Sequence, residues 1–411
     1  MKILQINKYH YVRGGSDSVY FNTSKLLKEY GHEVIHFAME FKENETSQQS
    51  EYFAVNEDFT EKSAIKKATS LPAFFYNHDA EIKLKALIIK ERPDIAHLHI
   101  FYGSLTSSIL KVLKNQKIPI VVSVHDYKFV CPAYLFLNGE NKICEKCAGQ
   151  NYYQAIQNKC IKGSYLFSTI FSLEAYFRDA FYPLNKMFSK LIFVSNFAAN
   201  KHIQYKPELN EISTHLYNFD PTIDNQIPNH NKGKYFLYAG RLSKEKGLTT
   251  LINAFTQLPN LKLKVVGSGA ELPSLMKIAG NNVEFLGFKK NHELRKIISD
   301  SSYIVVPSEW YENNPMSIIE SYSQGKPVIA SKIGGIPEII EDKRTGYLFT
   351  PGDISALVDV IRRADQIKES EYREMSKYAS DYAKRNFHPQ VHYNQLISIY
   401  RQAIANQTTF I

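Results

Sequence analysis

The sequence predicts an α/β protein built twice over, with a parallel sheet in each half. Three observations carry this. Short apolar runs alternate with amphipathic stretches over the first two hundred residues. A polar, turn-rich stretch, residues 218–234, then interrupts the alternation. After it the same rhythm restarts. At 411 residues the chain is long enough for two full cores.

The elements follow in order. Lys2 to Ile6 is a short first strand, followed by Gly14-Gly15 and an amphipathic stretch from Ser18 to Tyr30. Gly31 ends that stretch, because glycine takes the left-handed conformation that closes a helix. HEVIHFAM is the next strand; DIAHLHI (94–100), IPIVVSVHD (118–126) and LIFVS (191–195) are further ones, with a helix after Asn196. The second half reads YFLYAG, a helix from Leu248, LKLKVVG, VEFLGF, YIVVPS and PVIAS. From Tyr372 to Ala405 the pattern is helical, with a break near His388-Pro389.

Apolar content of 44% and charged content of 22% read as globular and soluble. The N-terminus lacks the flanks of a signal peptide, and no apolar run of about 18 residues predicts a membrane span. These features point to the cytoplasm. A net charge of +9 favours phosphate-bearing substrates, an anionic membrane or nucleic acid. No nucleic-acid motif is present, so nucleic acid is not expected as a partner.

The stretch from Glu309 to Pro337, EWYENNPMSIIESYSQGKPVIASKIGGIP, carries the most chemistry. Glu312 and Glu320 are spaced Glu-x7-Glu. Asn314-Pro315 reads as a helix start, with Asn314 as the cap and Pro315 in the first turn. Glu312 then lies in the loop before the helix and Glu320 inside it. A helix start offers free N–H groups to a phosphate, so this site suits an anion flanked by hydroxyls. AGRLSKEKG places Arg241 and Lys246 between a strand and a helix, where two cations can neutralise a diphosphate. Gly267-Ser268-Gly269 is a strand-to-helix turn, of a kind that often serves only close packing.

These motifs resemble the nucleotide-sugar glycosyltransferases of family 4. The family's Glu-x7-Glu matches Glu312 and Glu320, and its GGxPE matches Gly334 to Glu338. The commoner Gly-aromatic-Gly turn between the acids is replaced by Asn313-Asn314-Pro315-Met316. The resemblance implies the GT-B fold: two Rossmann-like domains facing each other across a cleft, with a C-terminal helix crossing back to the N-terminal domain. The expected boundaries are 1–217 for an acceptor-binding domain, completed by the helix at about 390–408, then a linker over 218–234, and 235–389 for a nucleotide-sugar-binding domain. The resemblance also implies retention of anomeric configuration. It assigns Arg241 and Lys246 to the diphosphate, Glu312 to the donor sugar and Glu320 to the ribose. Asn314, Pro315, Met316, Gly267 and Gly269 would border the donor, and Phe288 the nucleotide base. In the first half, Gly14 and Gly15 match the loop beside the donor phosphate, and His125 is favoured as touching the donor sugar. His97 and His99 are read as structural. No Asp-x-Asp stands near the site, so cations replace a divalent metal and no cofactor is required beyond the donor itself.

Four cysteines, Cys131, Cys144, Cys147 and Cys160, fall in one segment spaced C-x12-C-x2-C-x12-C. Two readings stay open: a structural zinc, for which CxxC is a natural half-site, or reduced thiols, since a cytosolic chain does not keep disulfides. Residues 142–206 carry nine Lys/Arg against three Asp/Glu, interleaved with aromatics. Most of those aromatics suit a core; the other reading is a patch lying on an anionic membrane.

The expected function is therefore transfer of a sugar from a nucleotide diphosphate to a saccharide acceptor, lipid-linked, in bacterial cell-surface polysaccharide synthesis. The expected location is the cytoplasm, at the inner face of the plasma membrane. The alternatives are a soluble acceptor, or a nucleotide-sugar-binding protein without catalysis.

Overall fold

Fully buried strands of branched residues need cover on both faces, and helices supply it. The computed structural model, which describes residues 1–56 and 71–408, shows this in each half. The first sheet contains β1 (Lys2–Ile6), β2 (Glu33–Phe37), β3 (Ile95–Leu98), β4 (Ile120–Val124), β5 (Lys190–Phe193) and β6 (Ser213–His215), in the order β2-β1-β3-β4-β5-β6. Every pairing in it is parallel. The second sheet contains β7 (Phe236–Ala239), β8 (Leu263–Val266), β9 (Val283–Gly287), β10 (Tyr303–Val306), β11 (Val328–Ser331) and β12 (Gly346–Phe349), in the order β12-β11-β10-β7-β8-β9, again all parallel. Both are Rossmann-like units. β6 and β12 are edge strands that the apolar runs of the sequence do not announce.

The chain divides into two units, one drawn from Met1–Val194, Ala198–Leu216 and Tyr393–Ile411, the other from Ser195–Phe197 and Tyr217–His392. The stretch 218–234 thus lies in the second unit, where Ile223 is buried in the core.

In the second unit one core lies under the Leu248–Thr256 and Ile354–Gln366 helices. The other lies under the Met316–Ser323 and Glu369–Asn386 helices. In the first unit the Pro389–Thr408 helix lays Leu396, Ile397, Tyr400 and Ala403 against Ile3, Ile95, Val121 and Ile192 of the sheet. Pro389 starts that helix after the break at His388, where its fixed φ suits a first turn. Tyr393 stacks on Tyr30 at 3.7 Å between ring centroids, which ties the C-terminal helix to the end of the Gly15–Glu29 helix.

In a doubly wound sheet, loops leaving the carboxyl ends diverge where the strand order reverses, and ligands bind there. The reversal falls between β1 and β3 in the first unit and between β7 and β10 in the second.

Candidate active site

In the second unit the loops after β7 and β10 carry the expected charges to the reversal point. Lys246 Nζ donates to Glu312 Oε1 at 2.6 Å and lies 4.9 Å from the Trp310 ring centre. Ser308 Oγ donates to the same carboxylate oxygen at 2.6 Å. Glu312 is only 5% exposed, so this pair satisfies a carboxylate that could not otherwise be buried. Arg241 extends into solvent, its side chain 63% exposed, and donates through Nη2 to Glu245 Oε1 at 2.7 Å. Burial alone would raise the Glu245 carboxyl. The Ser243 hydroxyl, its own N–H and Arg241 more than offset this and hold it below the usual range.

Glycines let these loops meet. Gly334 has φ +61°, and a Cβ there would stand 2.3 Å from the Glu312 carbonyl oxygen. Gly335 N–H donates to that oxygen at 2.7 Å. The Gly-Gly pair therefore clamps the backbone of the first acid. Gly267 and Gly269 face the Arg241 loop as closely: a Cβ would lie 1.8 Å from Gly240 O and 2.1 Å from Leu242 O respectively. Leu242 N–H donates to Ser268 O at 2.9 Å across that contact. Close packing of loop on loop thus accounts for both glycines.

The helix start differs from the expected cap. Pro315 is the capping residue, and the helix runs Met316–Ser323. The Asn314 side chain does not cap it; its Oδ1 accepts the Asn218 N–H at 2.9 Å. The Asn314 carbonyl accepts from Asn218 Nδ2 at 3.2 Å, which leaves the buried Asn314 Nδ2 without a hydrogen-bond partner. Glu320 lies half-buried inside the helix. Burial, reinforced by Asp220 and opposed by Arg295, pushes its carboxyl up to about 7. Phe288, just past β9, is exposed, with Lys290 Nζ 5.6 Å from its ring centre. Glu338 of the GGxPE run accepts the N–H groups of Asn196, at 2.8 Å, and Phe197.

In the first unit, Gly14 precedes the Gly15–Glu29 helix in an extended conformation. A Cβ on Gly14 would meet nothing within 4 Å, so packing does not demand glycine there. Asp17 shapes this loop: it accepts from Gly14 N at 2.9 Å, from Arg13 N at 3.2 Å and from Asn7 Nδ2 at 2.9 Å. The sequence hint was an acid three residues past Gly14. His125 directly follows β4, and burial lowers its imidazole to about 4. Asp126 accepts from Lys128 N at 2.9 Å, and burial raises its carboxyl to about 6.

The four cysteines are neighbours in the fold: Cys131, Cys144 and Cys160 each raise the Cys147 thiol. All four cysteines are free thiols, and among the described residues no group of three or more His, Cys, Asp or Glu is arranged to hold a metal ion. Burial pushes the Cys131 and Cys147 thiols up and the Cys160 thiol to about 12, with the neighbouring cysteines adding to the rise; a bound cation would reverse this by favouring the thiolates. The basic segment 142–206 divides in two. Arg178 is 1% exposed and pairs with Glu174 at 3.3 Å and Asp179 at 3.5 Å, so it belongs to the interior and not to a surface patch. Phe171 is likewise buried, while Tyr165, Leu166, Leu173 and Phe181 of the Tyr165–Phe181 helix are exposed. Lys159 lies over the Tyr165 ring at 4.5 Å and Lys162 over the Phe167 ring at 5.2 Å.

Comparison with known proteins agrees with this geometry. Residues 13–213 match Glycosyltransferase Family 4, and residues 219–403 match Glycosyl transferases group 1. The chain belongs to the family 4 glycosyltransferases. Sulfoquinovosyl transferase SQD2 of Arabidopsis thaliana is 33% identical over 130 residues, covering 31% of this chain and 25% of that protein. The lipopolysaccharide 1,2-N-acetylglucosaminetransferase of Salmonella typhimurium (strain LT2) is 33% identical over 150 residues, covering 32% of this chain and 39% of that one. The aligned stretch therefore spans well under half the length of these curated glycosyltransferases. The crystal structure of Anabaena Alr3699/HepE in complex with UDP-glucose covers 100% of both chains, at 19% identity and a TM-score of 0.65. That similarity shows the fold of this family 4 chain, the GT-B fold.

Proposed function

We propose that this family 4 chain is a retaining glycosyltransferase. It moves a sugar from a nucleotide diphosphate to a lipid-linked saccharide in bacterial cell-surface polysaccharide synthesis. The observation that carries this is the Lys246–Glu312 pair at the reversal between β7 and β10, beside the start of the Met316–Ser323 helix. An ion pair of this kind can exchange partners. A donor diphosphate takes the Lys246 ammonium and the exposed Arg241 guanidinium. Glu312, released from Lys246, accepts hydroxyls of the sugar. The unpartnered Asn314 Nδ2 is a buried donor awaiting an acceptor, and a sugar oxygen supplies one. Glu320, deeper in the helix, is placed to accept from the ribose.

Departure of the nucleotide leaves charge on its phosphate as the anomeric carbon becomes oxocarbenium-like. Arg241, Lys246 and the helix N–H groups stabilise that charge from fixed positions. The resemblance to family 4 assigns His125 to the transferring sugar. A neutral, half-buried imidazole suits a hydroxyl better than a phosphate.

Support for a lipid-linked acceptor comes from two sides. The Salmonella relative is named for lipopolysaccharide. The exposed face of the Tyr165–Phe181 helix, with Lys159 and Lys162 over its first aromatics, suits an anionic membrane surface. Among the described residues no helix is long and apolar enough to cross a membrane.

The test is a panel of nucleotide sugars offered with lipid-linked and soluble acceptors, the product anomer being read by NMR. One donor should raise the unfolding temperature, because a ligand that binds only the folded state stabilises it. That donor should give product of retained configuration on the lipid-linked acceptor. Inverted product contradicts the mechanism. Transfer to soluble acceptors alone moves the reading to a small-molecule enzyme, and binding without transfer to a nucleotide-sugar-binding protein.

A further inference from the structure

The chain between β4 and the Tyr165–Phe181 helix is long and carries little regular structure. It holds one antiparallel bridge, Leu137 to Ile143, a single 3-10 turn at Ala148–Gln150 and a short helix, Tyr153–Gln157. Segments of this kind are uncommon inside compact domains. Of the ten non-glycine residues with positive φ among the described residues, six lie between Tyr134 and Lys162. Backbone in that region persists only where its surroundings hold it. Neither a strand ladder nor a long helix holds this segment, so its shape needs another support.

All four cysteines of the chain stand in this segment. Backbone bonds draw them together. Cys131 N–H donates to Tyr127 O at 2.8 Å, and Cys144 N–H donates to Phe136 O at 2.8 Å. Gly139 N–H donates to Asn158 O at 3.0 Å, and a Cβ on Gly139 would stand 2.5 Å from that oxygen, so the hairpin packs tightly on the turn before Cys160. Cys160 N–H returns to Ala155 O at 3.0 Å. Main-chain donors also face the sulfurs. Ala133 and Phe136 N–H groups bond Cys131, Ala155 N–H bonds Cys147, and Gly139 N–H bonds Cys160. A thiol sulfur is a weak acceptor. Donors turned on three of the four suit sulfur that carries charge, and Cys131 and Cys147 are buried, where such charge needs a cation.

We propose that Cys131, Cys144, Cys147 and Cys160 bind one zinc ion, which pins the segment after β4 in place. All four belong to the first unit, so the site is complete within it. Cys144 and Cys147 supply one half-site through their C-x2-C spacing, and Cys131 and Cys160 close the other. Zinc takes four thiolates tetrahedrally in structural sites and keeps no position open for a substrate. The thiols as described are neighbours without being arranged around one point. Their side chains turn inward as the ion binds, and each thiol gives its proton to solvent. The role is one of placement. The pinned segment leaves the carboxyl end of β4, the end of the sheet where ligands gather in this fold.

The experiment uses the full chain, made with zinc supplied and without a histidine tag. Elemental analysis should find about one zinc per chain. The cysteines should resist a thiol reagent until a strong chelator is added, and react after it. Limited proteolysis should cut between residues 131 and 164 only once the metal is stripped, and added zinc should restore resistance. Co²⁺ in place of zinc should give the thiolate-to-metal and d–d absorption bands of a tetrahedral four-sulfur site. Cys147→Ser should weaken zinc by more than the roughly tenfold to hundredfold that loss of an outer-shell partner costs. Where that variant folds poorly, Cys144→Ser, at a half-buried position, takes its place. The cobalt spectrum of the wild type needs no variant at all. Protein that holds no zinc, shows four reactive thiols and gives no cobalt bands overturns the proposal. Disulfides among these cysteines, or iron bound in place of zinc, overturn it too. So does zinc held at full strength by both serine variants, which would put the ion elsewhere.

Discussion

The loop after β4 and the loop after β7 both carry charged residues, and they use them in opposite ways. Behind the first, Lys128 pairs with Glu174 at 2.9 Å, Glu174 with Arg178 at 3.3 Å, Arg178 with Asp179 at 3.5 Å, and Asp179 with Lys206 at 2.5 Å. All five are buried or nearly so, and each satisfies another member of the set. Behind the second, Arg241 is exposed and held by Ser243 and Glu245 of its own loop. Lys246 is held by Glu312 at the reversal point. Charges enclosed by protein fix a loop in place. Charges paired at the edge of solvent can change partners when an anion arrives. Basic residues that look alike in sequence thus belong to two classes, separated by burial.

The widest separation should come from Arg178 against Arg241. Arg178→Ala leaves Glu174 and Asp179 buried with one cation fewer, and should cost about 3–5 kcal/mol of stability. Arg241→Ala should leave stability within about 0.5 kcal/mol, as an exposed i,i+4 pair contributes little. It should nevertheless lower turnover by roughly a hundredfold, as loss of a charge-stabilising donor does. Denaturant unfolding and steady-state rates on the two variants check this. Equal losses of stability would erase the distinction.

A smaller effect should come from pH. Glu320 is raised to about 7, mainly by burial. A group raised above its unfolded value, about 4.3 for Glu, favours the folded state fully at low pH. That contribution fades as pH rises through about 7, because burial disfavours the carboxylate. Glu320→Gln stays neutral, so the variant should gain on the wild type between pH 5 and 8. Unfolding midpoints across that range check the sign. A gap that shrinks with rising pH would contradict it.

Much of the fold was legible because strands buried on both faces read as apolar runs, as IVVSV of β4 and VIAS of β11 do. β6 and β12 escaped because each is an edge strand of only three or four residues. Lys246 and Glu312 were legible as motif members, but their pairing was not, since 66 positions separate them. Asn314 was misread as a cap because its preference for helix starts is local, whereas its actual partner, Asn218, is distant in sequence. The interior role of Arg178 was hidden for the same reason: its helix advertises aromatics, while Lys128 comes from another element.

In the proposed function the second unit holds a nucleotide sugar through Lys246 and Glu312. The most direct measurement is calorimetric titration of the active donor into wild type, Lys246→Ala and Glu312→Gln, with the transfer rate of each. Lys246→Ala should weaken binding of the intact donor and of the free nucleoside diphosphate alike, with transfer down roughly a hundredfold. Glu312→Gln should weaken the intact donor while leaving the free nucleoside diphosphate nearly unchanged, because its hydrogen bonds go to the sugar. Both variants binding and transferring as the wild type does would contradict the account.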